Sequence, residues 1–302
     1  MVAIIIVNYK SDALTIRFVR EELSKTRMAS KVVIVNNAAT PESDRRMAEE
    51  LDARVVTDIQ TPCPESRLYV LHSEANLGFA RGCNLGAEFA RRTFQPDLLL
   101  FSNNDIEIVD TDVLEQLAAK LDEDPRIGMI GPCVVGKDGR RQSPDPYLSF
   151  WTTYVRKPLL SACYSEQKRR RVFRSDYTES APEGFCDKVI GAFMMVRADD
   201  FFACGMMDPR TFLYYEELIL AERMGNAGKK PYFYPAVTVI HAQAATIGSH
   251  YCPDGMMKLN LDSAACYYHH YRHVPMAEIA LGRFLYLAFR KMLRLKNKLK
   301  GR

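Results

Sequence analysis

The residues best suited to chemistry lie at the ends of apolar runs. Leu98-Leu99-Leu100-Phe101 leads straight into Ser102-Asn103-Asn104-Asp105. A buried strand ending in amides and a carboxylate presents ligand groups at the carboxyl edge of a parallel sheet. Asp105 would there hold a divalent cation, Mg²⁺ or Mn²⁺, and through it phosphate oxygens. Mg²⁺ commonly takes only one or two protein carboxylates plus substrate phosphates, so Asp105 beside Asn103 and Asn104 is a sufficient protein share. Phe212-Leu213-Tyr214-Tyr215-Glu216-Glu217 places two acids after an aromatic run, where they can supply a general base. Val239-Ile240-His241 closes another apolar run with an imidazole that could complete the metal site. Each pattern also has an ordinary counterpart: a polar turn, an acidic helix N-terminus, a locally bonded histidine.

Two earlier strand ends add recognition groups. Asn8 and Tyr9 offer an amide and an aromatic face suited to a base or ribose, and Asn36-Asn37 offer amide edges that match a pyrimidine. The same residues are common in turns. In the stretch from Asn76 to Gly86, Gly78 and its fellow glycines permit close backbone approach, and Asn76, Arg81 and Asn84 add polar groups. A following helix would offer its N–H groups to a diphosphate, with Arg81 as a charged fork. The glycine spacing is that of neither a dinucleotide fingerprint nor a P-loop.

The elements that must position these groups alternate strand and helix. Val2–Val7, Val32–Val35 and Leu98–Phe101 read as buried strands, with weaker ones at Arg54–Val56 and Leu68–Leu71. Ser11–Ser24, Pro41–Leu51, Cys83–Arg92 and Val113–Asp122 read as helices, the third following a glycine-bearing loop. Ile127–Val135, Val189–Val196 and Pro231–His241 return to strand, and Thr211–Ala227 to helix. Residues 143–185 read as an irregular excursion carrying the basic run Lys168–Arg171. The alternation predicts an α/β fold with a mostly parallel central sheet, flanking helices and polar strand ends along one edge.

Composition narrows the class. The 302 residues suffice for one large domain, and 47% hydrophobic residues support a sizeable core. A net charge of +4 argues against a nucleic-acid partner. The 8 cysteines are scattered without a CxxC pair and read as reduced core residues. Neither a signal-like leader nor a membrane-length apolar run is apparent, so the expected location is the cytoplasm. From Arg283 onward the chain carries 8 basic residues, no acid and interleaved Phe284, Leu285, Leu287 and Leu295. A basic amphipathic helix of this kind suits an anionic membrane surface, and equally a terminal helix packed on the domain.

The order of motifs resembles the inverting family 2 glycosyltransferases, nearest their rhamnosyltransferase-like branch. The resemblance rests on IIIVNYKS, VVIVNNAAT, NLGFARGCNLG, LLFSNND, GAFMMVRAD, FLYYEE and VIH, in that order over residues 1–250. It implies a GT-A fold over 1–250 with a helical extension over 251–302. It also implies a nucleotide-diphosphate sugar donor, dTDP-rhamnose or a UDP-sugar, and a glycan or lipid-linked acceptor in cell-surface polysaccharide synthesis. Asn103-Asn104-Asp105 stands at the Asp-x-Asp-like metal position. Glu216-Glu217 stands at the acidic pair, which makes Glu217 the base. Gly191-Ala192 matches the segment bordering the acceptor site, and His241 the late histidine near the diphosphate. A lipid-linked acceptor would place the enzyme peripherally on the inner face of the cytoplasmic membrane. The chain departs from the pattern at Asn103, at Asn36, where relatives carry an Asp that reads the base, at Ile219 in place of a further acid, and at Glu217, one methylene longer than Asp. A silent nucleotide-sugar or glycan-binding protein and a nucleotidyltransferase are the competing classes.

Overall fold

A computed structural model describes residues 1–160, 164–242 and 253–299. The first half runs β1 (Val2–Tyr9), α1 (Asp12–Arg17), β2 (Ser30–Asn37), α2 (Pro41–Leu51), β3 (Arg54–Val56), β4 (Leu68–Ser73), α3 (Gly78–Phe94), β5 (Leu98–Ser102), β6 (Ile106–Ile108) and α4 (Val113–Glu123). The second half runs β7 (Ile127–Gly136), α5 (Glu166–Val172), α6 (Ser175–Ser180), β8 (Gly184–Phe185), β9 (Phe193–Arg197), α7 (Ala198–Ala203), α8 (Glu216–Gly225), β10 (Lys230–His241), α9 (Pro253–Arg272) and α10 (Met276–Leu299). The strands form one sheet in the order β3-β4-β2-β1-β5-β9-β7-β10-β6, with β8 beside β10. The first five strands of that order are mutually parallel. β9 runs antiparallel between β5 and β7, and β10 runs parallel to β7.

β1 shows why its sequence reads as one continuous apolar run. Val2, Ile4 and Ile6 join the core on one face of the sheet, while Ala3 and Ile5 join the core on the other. Alternate side chains of a strand point to opposite faces, so a strand covered on both sides needs apolar residues at every position. The polar residues wait until the end, where Asn8 pairs in register with Asn36 and Asn36 with His72.

Several boundaries differ from the sequence reading, for physical reasons. Helix α3 begins at Gly78, so the glycine-bearing stretch is its own first turns and not a loop. A Cβ on Gly86 would lie 2.6 Å from Ile5 Cγ2, and one on Gly82 3.0 Å from Val7 Cγ2. These glycines let the helix press onto β1; their close approach is to strand side chains. The helix expected over Ser11–Ser24 ends at Arg17 and continues as a π-helical turn, Phe18–Glu22. That wide turn sets Glu22 inward, where its carboxylate accepts the Ile108 N–H at 2.6 Å. The excursion over 143–185 contains a second π-helical segment, Thr152–Leu160, together with α5, α6 and β8. The basic run sits on α5, where Arg170 pairs with Asp176 and Glu179.

The last two helices enclose an aromatic cluster. Tyr267 and Tyr268 of α9 are buried with Phe150, Tyr154 and Ile219. Helix α10 lies on the Thr152–Leu160 segment, and a Cβ on Gly282 would meet Phe150 Cζ at 2.7 Å. Among the described residues, no helix is long and apolar enough to cross a membrane. Cys63, Cys83, Cys133, Cys186, Cys204 and Cys266 carry free thiols. Cys163, Cys252 and the terminal Lys300 and Arg302 lie outside the described residues.

Candidate functional site

The antiparallel pairing of β6 with β10 sets His241 opposite Ile106. Asp105, the residue before Ile106, is thereby brought to the imidazole: Oδ1 lies 3.3 Å from His241 Nε2, with both side chains at least nine-tenths buried. His241 Nδ1 donates to Gln142 Oε1 at 2.8 Å, which leaves the lone pair on Nε2. Asn103 Nδ2 donates to that Nε2 at 3.1 Å. Asp105 Oδ1 and His241 Nε2 thus lie side by side, and an oxygen and an imidazole nitrogen are suitable ligands for Mn²⁺ if the Asn103 amide yields that nitrogen. Among the described residues no group of three or more His, Cys, Asp or Glu could hold a metal. The donor set therefore fits an ion completed by substrate oxygens, not one caged by protein.

Glu216 and Glu217 open helix α8. The helix is shorter than expected because Tyr214 and Tyr215 both adopt left-handed backbone, with φ of 72° and 69°. Such conformations cost about 1–3 kcal/mol each and persist only where surroundings enforce them. Here Phe79 N–H donates to the Phe212 carbonyl at 2.8 Å, and Ser263 Oγ donates to the Leu213 carbonyl at 2.8 Å. The Tyr215 ring packs against Tyr267 at 5.6 Å. Asp208, buried at the start of the loop, accepts from Arg210 and Tyr271 and faces Arg223. Burial pushes its carboxyl up, but Arg210 and Tyr271 outweigh that and hold it below the ordinary range.

Glu217 and Glu216 are set in different surroundings. Glu217 Oε1 accepts the Gly191 N–H at 2.9 Å. A Cβ at this position would stand 2.7 Å from that oxygen, so a side chain there would displace the carboxylate. Gly191 and Ala192 form a turn, so β9 begins at Phe193 and not at Val189 as expected. Glu216 is buried, and its Oε2 has no hydrogen-bond partner. Burial, then the adjacent Glu217 charge, push its carboxyl well above the ordinary range. The two acids thus differ in surroundings: Glu217 is held by a backbone N–H, and Glu216 is enclosed with one oxygen unpartnered.

The two centres join through four residues. Gly191 holds Glu217, and the carbonyl of the next residue, Ala192, accepts the Asn103 N–H at 2.9 Å. Asn103 in turn reaches His241, and His241 meets Asp105. Asn103, Asp105, Gly191, Ala192, Glu216, Glu217 and His241 therefore lie together.

The other predicted residues lie around this line with their groups engaged internally. Asn8, Asn36 and Asn104 are buried beneath the strand ends. Asn8 Nδ2 donates to Asn36 Oδ1 at 2.8 Å, Thr15 donates to Asn8, and Asn104 donates to Thr15. Asn36 Nδ2 donates to Asp44, which bonds His72 Nδ1 at 2.5 Å. Tyr9 is half-buried, with the Lys10 ammonium 5.4 Å from its ring centre. Arg81 Nε donates to the Pro209 carbonyl at 2.7 Å, and Asn84 brackets Met207 through its N–H and carbonyl. Asn76 Oδ1 accepts the Gly78 N–H, and Gly78, at φ 76°, abuts the Phe212 carbonyl. Gly78, Arg81 and Asn84 thus grip the 207–212 loop that delivers the acid pair. Gln142 and Asp208 are contributors that sequence reasoning missed. A single Gln or Asp in a loop carries no periodic signal.

The chain matches a family described as glycosyltransferase like family 2 over residues 1–252. It is 28% identical over 200 residues to an N-acetylglucosaminyl-diphospho-decaprenol L-rhamnosyltransferase of Mycobacterium tuberculosis, covering 61% of each chain. It is 25% identical over 167 residues to the rhamnosyltransferase WbbL of Escherichia coli, covering 54% of this chain and 60% of that one. The matches thus span less than two thirds of these relatives' own length. Among solved structures it is similar to GalNAc-T7 with UDP, GalNAc and Mn²⁺, at a TM-score of 0.59 and 13% identity, over 96% of this chain and 54% of that one. The fold is GT-A, as the motif order implied.

Proposed function

The chain belongs to the family of glycosyltransferases like family 2, and from that premise we propose that it transfers a sugar from a nucleotide-diphosphate donor to a hydroxyl with inversion. The observation that supports this most is the short bonded line from Glu217 through Gly191, Ala192 and Asn103 to His241 and Asp105. It links the carboxylate read as the base to a pair of groups suited to a diphosphate-bound cation. In the reaction, an acceptor hydroxyl loses its proton to Glu217 as its oxygen bonds to the anomeric carbon. The bond from that carbon to the diphosphate oxygen breaks, and the electron pair leaves with the nucleoside diphosphate. With Oε1 held by Gly191, Oε2 would take the proton. Asp105 and His241 would hold a divalent ion, which when bound neutralises the charge that grows on the leaving group. Stabilisation that appears only as charge develops is what accelerates a reaction.

The donor class is dTDP-rhamnose or a UDP-sugar, in keeping with the rhamnosyltransferase relatives, and the acceptor a glycan or lipid-linked saccharide of the cell surface. Residues 1–250 would carry the transfer and 251–302 the attachment. The test is a melting-temperature screen with dTDP-rhamnose and UDP-glucose, with and without Mn²⁺, followed by assay of nucleoside diphosphate release. A ligand that binds the native state raises its melting temperature. One donor should do so only with the ion present, and should be slowly hydrolysed. No shift with either donor would count against the reading.

A peripheral position on an anionic membrane is part of the same proposal. Phe284 is 66% exposed on α10, in company with exposed Leu281, Leu287, Met292 and, from the segment beneath, Trp151. The sequence after Glu278 contains no acid. Apolar side chains among cations are what an anionic interface binds. The full chain should co-sediment with phosphatidylglycerol vesicles and not with phosphatidylcholine vesicles, and Phe284→Asp should weaken that several-fold. Equal recovery with both vesicle types, or none with either, would contradict it.

A further inference from the structure

The loop that presents Glu216 and Glu217 is fastened from the C-terminal extension. Between α7 and α8 the backbone turns left-handed twice, at Gly205 and Met206 (φ 85° and 62°) and at Tyr214 and Tyr215 (φ 72° and 69°). For residues other than glycine such backbone persists only where the surroundings over-determine it. Each pair has a side-chain anchor beside it. Arg223, roughly two turns along α8 from Glu216, donates to the Gly205 and Met206 carbonyls at 2.6 and 2.8 Å. Ser263 of α9, buried, donates to the Leu213 carbonyl at 2.8 Å, directly ahead of Tyr214.

Tyr271, farther along α9, ties the first anchor to the same helix. Its hydroxyl donates to the buried Asp208 Oδ2 at 2.6 Å and accepts from Arg223 Nε at 2.9 Å. One phenol thus joins the start of the loop to the helix that follows its end. Between Ser263 and Tyr271, Tyr267 donates to Glu222 Oε1 of α8 at 2.7 Å. Residues spaced by four lie on one helical face, so a single side of α9 meets both the loop and α8. We propose that Ser263 and Tyr271 are positioning residues: through them α9 holds the loop in the geometry that sets Glu217 on Gly191, and so fixes where the base stands for the acceptor hydroxyl. This rests on reading Glu217 as the base. The extension is then part of the transfer machinery as well as an attachment.

The test removes one hydroxyl at a time from the full chain. Tyr271→Phe should lower kcat for nucleoside diphosphate release by about 10-fold, because a small misplacement of a reacting group costs that much or more. Affinity for dTDP-rhamnose in Mn²⁺ should stay within about two-fold, since the donor is held elsewhere. Ser263→Ala should behave alike. In a Glu217→Gln background neither substitution should cost anything further, because residues that act through one another are not additive. A merely structural role would lower turnover by the same factor in both backgrounds. Hydrogen exchange of the 208–217 amides, measured without substrate, should rise in both single variants. A loss that persists in Glu217→Gln, parental kcat in the single variants, or unchanged exchange would each overturn the proposal. Should Tyr271→Phe not fold, Ser263→Ala decides alone. Parental turnover in Glu217→Gln itself, with exchange raised as expected, would count against Glu217 as the base and not against α9 as the anchor of the loop.

Discussion

Glu217→Gln is expected to lower turnover by roughly 10²–10⁴-fold, the usual contribution of a well-placed general base, while donor binding stays within about two-fold. The substitution preserves shape, and the amide oxygen can still accept the Gly191 N–H, now at 2.9 Å from Oε1. What it removes is the ability to take a proton. A change in turnover with binding intact is the signature of an interaction used in the transition state. The comparison is made by measuring nucleoside diphosphate release and donor affinity on the same preparations. Turnover within a few-fold of the parent would remove Glu217 from its assigned role.

Asp105→Ala is expected to abolish the Mn²⁺-dependent part of donor binding, by about 10²-fold or more, since even outer-shell changes at metal sites cost 10–100-fold. The carboxylate is one of two protein groups suited to the ion, and without it only His241 Nε2 remains. The effect should vanish when binding is measured without divalent ions, because Asp105 would then have nothing to bridge. Calorimetric titration of dTDP-rhamnose with Mn²⁺ and with EDTA separates the two conditions. Equal affinities for parent and variant in Mn²⁺ would defeat the assignment. The two substitutions thus predict opposite patterns, one sparing binding and one sparing the base.

The parts of the molecule legible in the sequence are those governed by local periodicity. The expected strand at Leu98–Phe101 is observed at Leu98–Ser102, and that at Val2–Val7 at Val2–Tyr9. The extensions add the polar residues that close each strand, which break an apolar pattern without breaking a ladder. The nearness of Asp105 to His241 depends on strand register between segments more than a hundred residues apart, and no local pattern encodes it. Only the motif order of the family made that pairing readable.

What was hidden is hidden for definite reasons. Gly78 and Gly82 read as a loop ahead of a helix at Cys83 because glycine disfavours helices, yet packing of Gly82 on Val7 overrides that preference. Tyr214 and Tyr215 read as helix because aromatic residues near acids fit a helical pattern. Tertiary contacts from α3 and α9 hold them left-handed instead. Asn8 and Asn36 read as recognition groups at strand ends, and the fold joins them in one buried hydrogen-bonded line to Asp44 and His72.

On the proposed function, Asp105 would capture the donor through an ion and Glu217 would activate the acceptor. The most direct test sets donor affinity in Mn²⁺ against nucleoside diphosphate release for the parent, Asp105→Ala and Glu217→Gln side by side. The predicted result is a clean split, with Glu217→Gln binding the donor like the parent but failing to turn it over, and Asp105→Ala failing to bind. Parental turnover in Glu217→Gln, or parental affinity in Asp105→Ala, would contradict it.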